Sequence, residues 1–164
     1  MRATKTPAVS MGKPITVPVL VPVTHTSTPM CINDPFMIDG QCYKVTALSL
    51  GTPHGVVIVD DVESVDVPSL GSALGTHALF PQGASIVFIQ VLDRESIKAR
   101  LWQRGEGETA FTSEAAGIAG VASMMLQKIL SRVVTVSMGG AAFAVEWDRV
   151  GEVMLTELAT VAQA

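Results

Sequence analysis

Between Leu101 and Ala122 the chain reads LWQRGEGETAFTSEAAGIAGVA: an alternating strand, a loop punctuated by Gly105 and Gly107, and a helix built largely of Ala, Gly and Ser. A helix with small apolar residues on nearly every face has no polar side to turn toward water, so it must be surrounded. Ala115, Ala116, Gly117, Ala119, Gly120 and Ala122 also give it a narrow radius, which lets strands approach closely. The N-terminus of such a helix carries unpaired N–H groups and is a ready seat for an anion. The segment predicts a central helix wrapped by sheet, with a site at Gly105–Ser113, where the chain enters the helix.

The remaining chain supplies the strands. Gln41–Leu50 and His54–Asp60 read as strands joined by Gly51-Thr52-Pro53. Ser85–Leu92 and Ser96–Gln103 alternate cleanly and form a hairpin about Asp93-Arg94-Glu95. Arg132–Ser137 and Ala142–Asp148 form a second hairpin about Gly139-Gly140, and Glu152–Val161 is a last strand. Ile15–Val23 is β-branched but carries Pro18 and Pro22, which predicts an edge strand or extended segment. Met1–Pro14 reads as a leading arm or strand, Thr24–Pro35 as a loop, and Val67–His77 as a short helix. The central helix is expected over Ser113–Leu130, with Thr112 or Ser113 as its N-cap. Together these describe a single α+β domain over residues 1–164, a curved sheet wrapping one helix.

Composition narrows the function classes. With 48% hydrophobic and 16% charged residues, the chain is a folded domain rather than a disordered one. A net charge of −4 with no basic stripe argues against nucleic acid. Gln127 and Lys128 interrupt the helical run before it reaches the roughly 18 apolar residues of a membrane span. Ile15–Val23 has the flanking positive charges of a signal peptide, but its prolines oppose a helical apolar core, so a cytoplasmic location is expected. Cys31 and Cys42 fit no zinc spacing and read as two reduced thiols, with a single bridge between them as the alternative, and Cys31 as a free surface thiol in a loop. No metal or cofactor is implied. Met124 and Met125 read as core filler on different helix faces, Trp102 and Trp147 as core or interface.

With the elements placed, nearly the whole chain, Ser10–Ala164, resembles the C-terminal half of diaminopimelate epimerase, a cofactor-independent amino-acid racemase. The resemblance rests on SMGKP (Ser10–Pro14), VTALSLGTPHGVVIVDDVE (Val45–Glu63), HALFPQGASIVFIQVLDR (His77–Arg94), LWQRGEGET (Leu101–Thr109) and GGAAFAVEWD (Gly139–Asp148), in that order. It implies a barrel-like sheet around a central helix, a fold that occurs twice in the family with the active site between the copies. One copy is present here. The family's chemistry needs a base on each face of the substrate, two cysteines alternating as thiolate and thiol, and helix N-terminal amides to hold a carboxylate.

At the positions this resemblance marks, the residues differ. The second cysteine is Thr112, whose hydroxyl is too weak an acid to replace a thiol unaided. Some relatives in the wider group carry threonine there and perform dehydration. The acidic partner of that cysteine is Gln103, and two substrate-gripping asparagines are Thr52 and Ser85. The turn that cradles carboxylate reads Thr112-Ser113-Glu114-Ala115, so Glu114 places a negative side chain near those amides. His54 matches the family histidine facing the first cysteine, and reads either as a general base or as a hydrogen-bonded strand-end histidine. Arg104 matches a substrate-contacting arginine, with a salt bridge to Glu106 or Glu108 as the competing reading. Glu108 and Glu114 each read as acids or as supports for the helix dipole and loop amides, and Thr112 as N-cap or reactive hydroxyl.

The expected function is a diverged, cofactor-free isomerase-type domain, not a two-cysteine racemase. It would bind a small or medium ligand in a biosynthetic setting and move protons in an isomerisation, elimination or cyclisation. His54, Arg104, Thr112 and Glu114 are the catalytic candidates; Thr52, Ser85, Gln103, Glu108 and Ser113 are the ligand contacts. The alternative is a non-catalytic binding or scaffold module, or one subunit of a split enzyme. Either reading expects a homodimer or a complementary half-domain as partner, because a barrel half that normally packs on a sister copy leaves an apolar face to cover.

Overall fold

The computed structural model describes residues 8–24 and 29–158. In chain order it forms β1 (Val9–Ser10), β2 (Asp34–Ile38), β3 (Gln41–Ser49), β4 (Pro53–Ile58), α1 (Val67–Gly75), β5 (Ser85–Asp93) and β6 (Ser96–Gln103). Then come β7 (Gly107–Thr109), α2 (Ser113–Met125), β8 (Val133–Met138), β9 (Ala141–Glu146) and β10 (Met154–Leu158). The strands hydrogen-bond in the order β1-β10-β9-β8-β6-β5-β4-β3-β2, with β7 added to β6. The β4–β5 and β6–β8 contacts are parallel, and the others are antiparallel.

This curved path does not close on itself. The leading segment spans the gap: Val9 and Ser10 pair with β10, the Met11 N–H donates to the Val153 carbonyl at 2.7 Å, and Ile15 exchanges both backbone bonds with Ser49 of β3. A barrel-like enclosure results, with α2 inside it.

The inward faces of the strands and α2 make one core. Leu48, Val87, Ile89, Leu101, Val136, Phe143 and Val145 surround a helix in which every residue from Ala115 to Met124 is buried. The outward faces of β3, β4 and β5 make a second core, where Val45, Val57, Ile86 and Phe88 meet Val67 and Leu74 of α1. Burial on both faces explains why β5 opens as an unbroken run from Ser85 to Ile89 rather than a polar/apolar alternation. Gly71 and Gly75 let α1 lie directly on Trp102, since a Cβ at either would lie 2.4 Å from a Trp102 side-chain atom.

Several expectations are corrected. Ile15–Val23 is not a strand: only Ile15 pairs, and Pro18–Leu20 form a 3-10 turn in which proline occupies a first position whose N–H is not needed. The loop before β3 is shorter than expected, because Asp34–Ile38 pairs with Gln41–Val45; Pro35 is tolerated there because β2 is an edge. The Gly105–Ser113 loop contains β7. Cys31 is buried, not a surface thiol. It donates to the Val45 carbonyl at 3.6 Å, and burial, with the charge of Asp34, pushes its pKa up to about 12. Both cysteines are unpaired, Cys42 on the surface. Of the expected last strand, residues 159–161 lie outside the described residues, as do residues 1–7 of the leading arm.

The central helix also stops five residues early. Leu126 caps it and Gln127 turns left-handed at φ +59, while Gln127 N–H donates to Met124 O and Lys128 N–H to Ser123 O. This is the closing pattern that glycine usually serves, so glutamine gave no warning of it. Gln127→Gly is expected to stabilise the domain by about 0.5–1 kcal/mol, read as a higher urea midpoint at unchanged slope.

Candidate functional site

Three neighbouring strands bring His54, Ser85 and Arg104 together at one end of the sheet. His54 on β4 lies opposite Ser85 on β5, and β5 pairs with β6 through Ile86 and Trp102. Just past β6, the Arg104 backbone N–H donates to Ser85 Oγ at 3.0 Å. The Arg104 guanidinium then donates to the Gln82 carbonyl at 3.0 Å, and the aliphatic stem of Arg104 passes beside Gly83. It makes no salt bridge with Glu106 or Glu108, contrary to the competing expectation.

The fourth element is the first turn of α2. Thr112 is its N-cap, accepting from the Ala115 N–H at 2.9 Å, so the capping reading of Thr112 is the one realised. Ser113 is exposed. Glu114 reaches across to the Gly51-Thr52 turn, 62 residues away in sequence. Its Oε2 accepts from the Thr52 N–H at 2.7 Å, and the Thr52 hydroxyl lies 3.0–3.1 Å from both carboxylate oxygens. The same Oε2 stands 3.8 Å from His54 Nδ1. Glu114 therefore seats its own carboxylate on a backbone amide beside the helix entrance.

His54 is buried, 3% exposed, and its Nδ1 is 3.0 Å from the Thr52 carbonyl oxygen. A carbonyl oxygen only accepts, so Nδ1 carries the hydrogen, and in the neutral ring Nε2 holds the basic lone pair. Burial pushes the His54 pKa below its usual value; the Arg104 charge adds to this, while the Thr52 carbonyl and the Glu114 carboxylate oppose it. The outcome is a neutral imidazole of fixed tautomer, with an acid at its Nδ1 edge and a guanidinium within electrostatic reach.

Two expected contacts lie elsewhere, for a reason of register. In the β6–β7 hairpin Trp102 pairs with Glu108, and residues directly opposite share a face. Glu108 therefore joins Arg100 on the outward side, with bonds of 2.8 and 3.0 Å. It supports neither the α2 dipole nor the loop amides. Gln103 accepts from the Thr109 hydroxyl at 3.1 Å and holds the hairpin. Two participants were not anticipated. Ser49 Oγ accepts from the Gly51 N–H at 2.9 Å and shapes the turn under Glu114, and Gln82 holds Arg104 through its backbone carbonyl. A Ser-Leu-Gly run at a strand end is the only sequence signal for the first, and the second has none.

Sequence comparison places the chain in a family. The model for the family described as Diaminopimelate epimerase matches residues 46–161. The chain belongs to the diaminopimelate epimerase family. It is 33% identical over 141 residues to the diaminopimelate epimerase of Desulforapulum autotrophicum, covering 86% of this chain and 49% of that protein. It is 36% identical over 147 residues to that of Pseudomonas entomophila, covering 90% and 52%. The chain thus spans about half the length of the curated relatives it matches. Among solved structures, a Bacillus anthracis phenazine biosynthesis protein of the PhzF family superposes with a TM-score of 0.52 at 15% identity, covering 72% of this chain and 46% of that one. This agrees with a barrel-like fold. Among the described residues no helix is long and apolar enough to cross a membrane, and no group of three or more His, Cys, Asp or Glu is placed to hold a metal.

Proposed function

We propose that this single domain is a diverged, cofactor-free proton-transfer module of the isomerase type. The observation that carries the reading is the His54–Thr52–Glu114 constellation: a buried neutral imidazole whose tautomer is set by a carbonyl, with a carboxylate 3.8 Å from Nδ1. His54 Nε2 takes a proton from a carbon acid and returns it elsewhere on the same ligand, so an isomerisation balances with no oxidant or reductant. Elimination and cyclisation begin with the same proton removal. Arg104 offers positive charge to the oxygen that gains electron density, and Glu114 steadies the imidazolium while it exists. Thr112 and Ser113 shape the helix entrance; Thr52 and Ser85 position Glu114 and Arg104. The reading retains Gln103 as a support of the entrance hairpin and removes Glu108 from the ligand contacts, since it pairs with Arg100.

The test is deuterium wash-in from D2O into a panel of small carbon acids, followed by mass spectrometry. Exchange is expected to fall by about 10²-fold or more in His54→Gln, and to be weakened in Arg104→Ala, with folding checked by circular dichroism. Full exchange in both variants would remove these residues from the chemistry.

A second reading, a binding module or one lobe of a two-lobed assembly, has its own observation. Phe111, next to the N-cap, is 39% exposed at the helix entrance while its ring meets Phe143 edge-on, 5.5 Å between centroids. An aromatic left in water at the mouth of a family active site suits a face covered by a second copy or a complementary half-domain. Sedimentation is expected to show a dimer that Phe111→Ser weakens; a clean monomer at high micromolar concentration would sink this reading.

A further inference from the structure

A cavity of about 400 Å³ lies at the other end of α2, away from His54. Met124 and Met125 of the last helical turn, Trp147 and Val150 give it an apolar lining, and among the described residues its ionisable lining residues are Lys13 and Arg149. In a chain of net charge −4, a cavity whose described lining holds two cations and no acid selects for negative charge. Its volume sits at the low end of the roughly 300–1,000 Å³ of small-molecule pockets.

The cavity is also built rather than incidental. Arg149 is held left-handed at φ +72, and its Nη2 donates to the Ile129 carbonyl at 2.9 Å. Its loop is tied by Asp148 Oδ1, which accepts from the Val150 and Gly151 N–H groups at 2.9 and 2.7 Å. Trp147 Nε1 donates to the Gly151 carbonyl at 3.1 Å, fixing the indole. Gln127, the left-handed residue that ends α2, lines the same cavity. Non-glycine residues in this conformation persist where the surroundings over-determine them, and they cluster at ligand clamps.

We propose that this cavity binds an amphipathic monoanion, an acyl or aryl carboxylate. Its apolar body lies among Met124, Met125 and Trp147, and its carboxylate meets Lys13 and Arg149. Flexible methionines accept bodies of differing shape, so the head group and not the tail sets the selectivity.

The test uses the full chain with 13C-methyl-labelled methionine, titrated with decanoate, decanol and decyltrimethylammonium. Decanoate is expected to move the Met124 and Met125 methyl signals saturably. The double variant Lys13→Gln/Arg149→Asn is expected to weaken decanoate by roughly tenfold or more and leave decanol unchanged. Asparagine tolerates the left-handed backbone, so it removes the charge without forcing the loop. Lys13→Gln alone is expected to weaken decanoate by roughly threefold, and stands as the test if the double variant does not fold. Absence of saturable shifts at those two methyls, equal shifts with the cationic detergent, or unchanged decanoate binding in the charge variants would each overturn the proposal.

Discussion

Gly120→Val is expected to leave the chain largely unfolded at room temperature. Gly120 sits in the buried middle of α2, and a Cβ there would lie 2.6 Å from both Cβ and Cγ1 of Val145 on β9. Cβ atoms are fixed by their backbones, so the contact is relieved only by pushing helix and strand apart. Even Gly120→Ala is expected to destabilise. Alanine gains about 1 kcal/mol of helix propensity over glycine, but overpacking of a dense core costs about 1–3 kcal/mol. Valine adds two more methyl groups against the same strand. Its total cost is expected to exceed about 4 kcal/mol, most of the roughly 5–15 kcal/mol that holds a domain together. Urea melts of the Ala and Val variants check this, with the 78%-exposed Leu130→Ala as a control expected to stay within about 0.5 kcal/mol. A stabilising Gly120→Ala would mean that the close approach of α2 to β9 is not required.

That prediction rests on the part of the fold most legible in the sequence. A run of Ala, Gly and Ser can be buried on all sides only as a central helix, and the two alternating hairpins supply the walls. Elements set by tertiary context were illegible. β2 carries Pro35, which local rules read as loop, and β7 is three residues long and exists through its pairing with β6. The end of α2 was missed because Gln127 adopts the conformation a glycine normally marks. At the site, the residues on strand ends were legible through the resemblance, since register brings His54 and Ser85 side by side. The partners of Glu108 and Arg104 were not: one depends on hairpin register, the other is a backbone carbonyl. The substitutions at Thr112 and Glu114 could be read as departures from the pattern, but the bond from Thr52 to Glu114 spans two elements and needed the fold.

Glu114→Ala is expected to cost about 1.5–3 kcal/mol, because it strips a charge-assisted acceptor from the Thr52 N–H and hydroxyl. The same change vacates a seat for an external carboxylate. Acetate is therefore expected to restore part of the loss, with a gain that grows with its concentration above its dissociation constant, while wild type gains little. The variant also shifts His54. Its pKa in the folded chain is already below the ordinary value, and the Glu114 carboxylate is one of the influences holding it up. Without that carboxylate it is expected to fall further, seen as a lower midpoint for the His54 ring signals in an NMR titration. The folded state then binds the His54 proton less readily than the unfolded chain, whose histidine titrates near about 6.5. Stability linked to His54 is fully present above that pH, is lost as pH falls toward the folded pKa, and is lost over a wider window in Glu114→Ala. Comparing each chain with its His54→Gln counterpart between neutral and mildly acidic pH isolates the histidine's share from that of the carboxylates. A His54 midpoint that rises on removing Glu114 would mean that the two side chains do not face each other as the 3.8 Å separation requires.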